Sequence, residues 1–365
     1  MKLKEIALKD FRNYKSLSLS FHDKLNVFIG QNAQGKTNLL EAIYFLSLSK
    51  SHRTPRDKEL IRFDSEEAYV SGRIETLHST IPLSLAITKK GKRAKVNHLE
   101  MSKLSEYIGH LNCVLFAPED LEIVKGAPQV RRTFIDIECG QISKVYLAHL
   151  SNYKRLLQQK NQYLKKRNVD SVMISVLNEQ LATEAAEIIL KRESFIKTLS
   201  KYAKRIHSDI SNGIETLTVN YHPNIKYDDD NKDSLRAFIL DEYNEVFEKE
   251  IERGQSVIGP HRDDIKFLIN GYDVQTFGSQ GQQRSTALSL KLAELDVIKE
   301  EIGEYPILLL DDVLSELDES RQAHLLTSIR DRVQTFVTTT SISDINHQIM
   351  NDMIAFTVEN GTVKL

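Results

Sequence analysis

Cysteine is nearly missing: the 365 residues hold two, Cys113 and Cys139. So few thiols exclude a disulfide framework and suit a reducing, cytoplasmic compartment. No Cys/His cluster has zinc spacing. No run of ~18 apolar residues occurs, which excludes a transmembrane helix, so no membrane partner is expected. Residues 1–10 alternate charge with apolar side chains; they read as a strand and lack the apolar core of a signal peptide. There is no internal repeat or low-complexity tract. Net charge is only −2, which by itself points to no polyanionic partner.

The length suits about two domains. The small net charge hides an asymmetry: residues 142–207 carry 13 Lys/Arg against 5 Asp/Glu, so the remainder is acidic. Residues 1–140 read mostly as strands, at 2–8, 17–21, 25–30, 68–76 and 80–87, with a turn at 89–92 and a short apolar run at 114–116. Apolar residues then recur at three- and four-residue spacings from Ile142 to Leu164 and from Leu181 to Ala203. They predict two amphipathic helices broken near 167–171. A third, acidic helix is predicted over 233–253. From residue 256 α/β character returns, with hairpin turns at Asn270-Gly271 and Asn360-Gly361, a long helix after Gly281, a buried strand at 307–310, a helix at 320–330 and a strand at 334–339. The predicted plan is a split nucleotide-binding head, 1–125 and 256–365, with a mostly helical lobe inserted at 126–255.

Gly30-Gln31-Asn32-Ala33-Gln34-Gly35-Lys36-Thr37 matches G-x-x-x-x-G-K-[ST], follows an apolar strand and precedes an apolar-periodic segment from Leu39; these residues with Asn38 are the expected nucleotide contacts. That context marks a P-loop rather than a chance Gly-rich turn. Its glycines let backbone N–H groups converge on phosphate oxygens, and the helix N-terminus adds partial positive charge. Lys36 is expected to reach the β- and γ-phosphates of ATP, and the Thr37 hydroxyl to ligate Mg²⁺.

Ile307-Leu308-Leu309-Leu310-Asp311-Asp312 is an apolar strand ending in carboxylates, as a Walker B motif requires. Asp311 is expected to hold Mg²⁺; Asp312 could orient or deprotonate the attacking water. The alternative for the pair is a helix N-cap.

Phe277-Gly278-Ser279-Gln280-Gly281-Gln282-Gln283-Arg284 precedes a long helix and resembles the Leu-Ser-Gly-Gly-Gln signature of ABC-type ATPases. Ser279, Gly281 and Gln282 match; Gln280 departs from the usual Gly. Leu314-Ser315-Glu316-Leu317-Asp318 looks like that family's D-loop. The resemblance implies an ABC-type α/β head in which the signature of one subunit meets the γ-phosphate on the P-loop of another. A capped helix is the plainer reading of the same residues.

Transporter ATPases fit poorly, because the strand after Walker B runs into Thr338-Thr339-Thr340 with no His at the switch position. The chromosome-maintenance branch, with its helical insertion, fits better. Over essentially the whole chain the sequence closely resembles the bacterial RecF family. The motifs that carry this are Leu8-Lys9-Asp10-Phe11-Arg12-Asn13-Tyr14, Phe116-Ala117-Pro118-Glu119-Asp120-Leu121, Arg131-Arg132-Thr133-Phe134-Ile135-Asp136 and Gly259-Pro260-His261-Arg262-Asp263-Asp264. The resemblance implies an ATP-dependent homodimer with weak, DNA-stimulated ATPase activity. It would bind single- and double-stranded DNA at gaps or junctions and work with RecO and RecR to load RecA, in repair, replication and the SOS response. Asp312 stands where most of the superfamily carries Glu, which implies slow hydrolysis. An ATP-gated DNA scaffold with incidental hydrolysis is the alternative.

The lobe cations Lys154, Arg155, Lys160, Lys165, Lys166, Arg167, Lys191, Arg192, Lys197, Lys201, Lys204 and Arg205 are the expected phosphate contacts, unless they form only a solvated helix face. Phe116–Asp120 is the expected Q-loop counterpart. Arg12 could reach the nucleotide. His261 and Arg262 could sense it or belong to a structural turn of ion pairs. Arg131 and Arg132 could touch DNA or brace the lobes.

Overall fold

The N-terminal alternation runs longer than its pattern predicts. β1 covers Lys2–Phe11 and β2 covers Tyr14–Ser20, paired antiparallel. The segment from Lys9 to Lys15, between the two predicted strands, is strand and tight turn, with Asp10 and Arg12 at positive φ (51° and 52°). The computed structural model describes residues 1–166, 169–227, 231–329, 332–340 and 353–365. The chain forms two compact units, Met1–Asp120 with Leu288–Leu365, and Leu121–Ala287.

In the first unit β3 (Leu25–Ile29) leads into α1 (Lys36–Leu48); then come β4 (Ala68–Glu75), β5 (Thr80–Thr88), β6 (Gly91–Val96), β7 (Leu99–Glu100), α2 (Leu104–Tyr107) and β8 (Cys113–Phe116). One sheet is antiparallel, in the order β2-β1-β4-β5-β6-β7.

The second unit holds α3 (Leu121–Lys125), α4 (Pro128–Ile142), α5 (Lys144–Leu164) and α6 (Ser171–Ile210). At 40 residues α6 is about 60 Å long. The break before it is capped by Asp170, whose carboxylate accepts from the backbone N of Val172 and Met173; Arg167 lies outside the described residues. The predicted acidic helix is two, α7 (Lys232–Glu245) and α8 (Phe247–Arg253), because Val246 leaves helical geometry and α8 turns Glu250 inward. β9 (Leu217–His222) pairs with β10 (Asp264–Ile269), which pairs with β11 (Tyr272–Asp273); α9 (Val274–Phe277) follows. That pairing draws residues 256–287 into this unit, so the compact units divide elsewhere than the predicted boundaries at 125 and 255.

α10 (Gln280–Ile302) carries the chain across the second division, at Ala287/Leu288. β12 (Ile307–Asp311), α11 (Glu319–Ile329), β13 (Thr335–Thr339), β14 (Met353–Glu359) and β15 (Thr362–Lys364) complete the first unit. Its second sheet has the order β15-β14-β3-β13-β12-β8, parallel except for β15. β8, β12 and β13 are buried along their whole length, as expected for strands covered on both faces. Phe21, Phe28, Phe336 and Phe356 form an aromatic cluster beside them, with ring centroids 4.9–6.4 Å apart. Among the described residues no helix is long and apolar enough to cross a membrane.

Candidate nucleotide-binding site

The P-loop connects the buried β3 to α1. A Cβ on Gly30 would lie 2.4 Å from the Val358 carbonyl oxygen, so only glycine lets β14 approach this closely. Gly35 has φ +118°, and a Cβ there would meet the Asn13 side chain at 2.5 Å. With Ala33 also at positive φ (65°), the loop alternates handedness, the geometry that turns successive N–H groups toward one side. Gln31, Asn32 and Ala33 form its exposed tip. Lys36 arches back so that Nζ donates to the carbonyls of Gly30 (2.5 Å) and Gln31 (3.0 Å). Burial lowers its pKa, opposed by the carboxylates of Asp312 and Asp311.

β13 lies between β3 and β12, which brings residues distant in sequence to one edge. Thr37 Oγ1 donates to Asp311 Oδ1 at 3.0 Å across 274 residues of chain. Thr338, at the end of β13, donates to the same oxygen at 2.8 Å. The Thr338 hydroxyl also accepts from the backbone N of Asp312 at 2.9 Å. It thereby holds Asp312 in a left-handed conformation (φ 54°) with an exposed side chain, while Asp311 stays buried. The Thr338–Thr340 run lacks a His at the switch position, and nothing in its letters marks Thr338 as this bridging hydroxyl. Residues 341–352, which follow it, lie outside the described residues.

The loop is braced from outside. Asn13 Nδ2 donates to the Gln34 carbonyl (3.1 Å), Tyr14 OH donates to that of Gly35 (3.0 Å), and Asn38 Nδ2 donates to Asn13 Oδ1 (2.9 Å). The C-terminal hairpin clamps Gln34: Asn360 N donates to its side-chain oxygen (2.7 Å) and Gly361 N to its carbonyl (3.1 Å). Arg12, expected to reach the nucleotide, instead forms a bidentate pair with Glu41 on α1, both contacts 2.7 Å. Glu41 has no exposed surface; burial would raise its pKa, but hydrogen bonds from Arg12 and Ser51 hold it below the usual value. Phe116–Asp120 ends β8 in a turn where Asp120 accepts from Ala117 N at 2.8 Å.

The signature lies in the second unit. A Cβ on Gly278 would meet the Val274 carbonyl at 2.5 Å, so the loop needs glycine there. Ser279 Oγ accepts from Gln282 N (3.2 Å), and Gln282 Oε1 accepts from Ser279 N (2.9 Å), a reciprocal cap at the start of α10. Ser285 Oγ donates to the Gly281 carbonyl at 3.0 Å. The capped-helix reading is thus physically present and leaves the Ser279 hydroxyl at a helix N-terminus.

Two of the expected DNA contacts are internal. Lys160 is fully buried, 2.7 Å from Glu250, and Arg192 is also buried. Arg192 donates to the Pro260 carbonyl (2.7 Å), Asp263 (2.9 Å), Asp136 (2.8 Å) and Tyr146 OH (3.0 Å). Arg131 makes a bidentate pair with Asp264 (2.6 and 3.0 Å), and Arg132 donates to the Asp263 carbonyl (2.7 Å). Gly259–Asp264 is therefore a turn held by ion pairs inside this unit. His261 Nδ1 and Tyr153 OH are hydrogen-bonded at 2.7 Å, and burial pushes the His261 pKa down to about 4. Lys191, Lys197, Lys201, Lys204 and Arg205 do occupy exposed positions of α6. The one acid among residues 191–205, Glu193, is hydrogen-bonded by Tyr227.

The model of the RecF/RecN/SMC N terminal domain matches residues 2–364. The chain is 55% identical over 368 residues to the DNA replication and repair protein RecF of Listeria welshimeri, and 55% identical over 369 residues to that of Staphylococcus epidermidis; each match covers 100% of both chains. Among solved structures it superposes on the recombination mediator protein RecF-ATPrS of the RecFOR pathway with TM-score 0.93 at 36% identity, covering 100% of this chain and 97% of that one. An SMC head bound to the C-winged helix domain of ScpA, at TM-score 0.57 and 16% identity, shares the fold. Full-length likeness to the repair proteins, against fold-level likeness to the SMC head, places this chain in the RecF family of DNA replication and repair ATPases.

Proposed function

We propose that this protein is an ATP-dependent DNA-binding ATPase of recombinational repair and replication, acting at gaps and junctions as a homodimer closed by ATP. The observation that carries the reading is the meeting of Thr37 and Asp311 at 3.0 Å beside Lys36 at the mouth of the glycine loop. Backbone groups of residues 30–35 would cradle the phosphates, with Lys36 swinging from the loop carbonyls to the β- and γ-phosphates. Thr37 and Asp311 offer only oxygen donors, and a hard cation that keeps water and phosphate ligands suits such a pair. Bound there, Mg²⁺ would neutralise charge on the phosphates. Asp312, turned outward, would orient the attacking water; its short reach favours slow turnover. Ser279, Gly281 and Gln282 would arrive from a second subunit and complete the γ-phosphate site at a helix N-terminus.

The exposed cations of α6 span about 20 Å of helix, the length of about six phosphates on one strand. They support contact with the DNA backbone rather than with bases. ATP bound in RecF-ATP of the RecFOR pathway supports the same nucleotide here. Partnership with RecO and RecR in loading RecA, and an SOS role, rest on the family. Sedimentation of the pure protein with and without ATP and gapped DNA tests the reading. ATP-dependent dimers that co-sediment with DNA are expected; a monomer under every condition refutes it. DNA-stimulated phosphate release separates this reading from an ATP-gated scaffold with incidental hydrolysis.

A further inference from the structure

The signature loop is not held by its own residues alone. α6 ends at Ile210, and the chain reverses through Asn212 and Gly213, both at positive φ (51° and 78°). Gly213 N returns to the Ser208 carbonyl, the bond pattern of a left-handed helix stop. The reversal lays Glu215 beside the helix it has just left. Its backbone is fixed on two sides: Glu215 N donates to Ser211 Oγ (3.2 Å), while Thr216 N donates to Asn270 Oδ1 (2.9 Å). Its carboxylate then spans two elements. Oε2 lies 3.0 Å from Nε2 of the buried His207 on α6, and Oε1 accepts from Gln282 Nε2 at 2.8 Å.

Gln282 has one carboxamide, and both ends are committed. Its oxygen accepts from Ser279 N, so its NH₂ must face Glu215. Glu215 thereby selects the amide orientation that closes the cap on Ser279. Without it the carboxamide loses its anchor and Ser279 its fixed position. We infer that Glu215 is a positioning residue for the ATPase reaction, holding the signature through Gln282 and tying it to α6 through His207. The inference rests on the proposed trans action of the signature.

The full-length protein tests this with dsDNA-stimulated ATP hydrolysis, binding of a fluorescent ATP analogue, and ATP-dependent sedimentation. Glu215→Ala should lower kcat at least about tenfold, as misplacing a catalytic contact does, and weaken ATP-dependent dimers, with nucleotide affinity of the monomer unchanged. Glu215→Gln retains an acceptor for Gln282 and should keep most of the turnover, which guards against a fold defect in the alanine variant. Mixing Glu215→Ala with Lys36→Ala should raise hydrolysis above that of either variant alone, because one site of the mixed dimer has an intact P-loop facing an intact signature. Wild-type kcat in Glu215→Ala, or a loss of monomer nucleotide affinity, overturns the positioning role. No recovery on mixing overturns its action across the dimer. Wild type that neither hydrolyses ATP nor dimerises overturns the functional reading itself, and the inference with it.

Discussion

Replacing Thr338 by Val keeps shape and removes one hydroxyl that serves two carboxylate residues. That hydroxyl donates to Asp311 at 2.8 Å and accepts from Asp312 N at 2.9 Å. Losing a hydrogen bond to a buried carboxylate costs about 1.5–3 kcal/mol, and an unpaired, part-buried N–H adds roughly 1. The two overlap, so about 2–3 kcal/mol is the expected loss for the first unit, a fall of about 5–10 °C in its melting midpoint. Catalysis should suffer separately. Asp312 would no longer be held left-handed, and a misplacement of about 1 Å in the group proposed to orient water would cost about 10²-fold in kcat. Lys36 and the glycine loop are untouched, so ATP affinity should hold within about threefold. Thr338→Ser preserves both bonds and should recover turnover and most of the stability. Melting curves, steady-state hydrolysis and nucleotide titration of the two variants decide it. Normal kcat in the valine variant would refute the bridging role.

Arg12→Ala strands the Glu41 carboxylate without its bidentate partner, and breaking such a buried pair should cost about 3 kcal/mol; a double-mutant cycle with Glu41→Ala in denaturant melts should return a coupling of similar size. Because Glu41 has a lowered pKa, its contribution is present above its ordinary value of 4.5 and fades as pH falls further. His261 acts in the same direction at milder acidity. Its folded pKa of about 4 lies below the ordinary 6.5, so the unfolded chain binds the proton first and stability falls between those values. The drop is about 3 kcal/mol, and His261→Asn should flatten that part of the stability profile; an identical profile would remove His261 as its source. Changing Lys191, Lys197, Lys201 and Lys204 to Ala should reduce the slope of log binding against log salt by about 3–4, at about 0.9 per phosphate contact. Unchanged salt dependence would move the DNA surface off α6.

Much of the site was legible because its chemistry is local. Gly30, Gly35, Lys36 and Thr37 are bound to one short loop between a strand and a helix, and that spacing alone defines a phosphate cradle. The apolar run ending in Asp311 reads equally well. The amphipathic stretches match α5 and the break before α6 to within a few residues, but the run from Leu181 to Ala203 falls short of α6 at both ends, and α4 was missed. The pattern also overcounted the cations. Lys160 and Arg192 look like their exposed neighbours in a string of letters, yet Glu250, Asp136 and Asp263 bring them inside. Those partners lie dozens of residues away, where helical periodicity carries no information.

By itself, the sequence determined the glycine loop between β3 and α1, the apolar strand ending in Asp311 and Asp312, the capped helix after Ser279 and the helical insertion. Each of these is written in contiguous residues with a fixed period or spacing. Only the tertiary structure decided which side chains hold those motifs in place. Thr338 reaches Asp311 because β13 lies between β3 and β12, and Arg12 turns to Glu41 because α1 buries a carboxylate that needs a partner. The C-terminal hairpin grips Gln34 from more than 300 residues away, and Glu215 meets Gln282 through a helix stop and a sheet edge. Hydrogen bonds act over about 3 Å, and which groups come that close is set by strand order and packing.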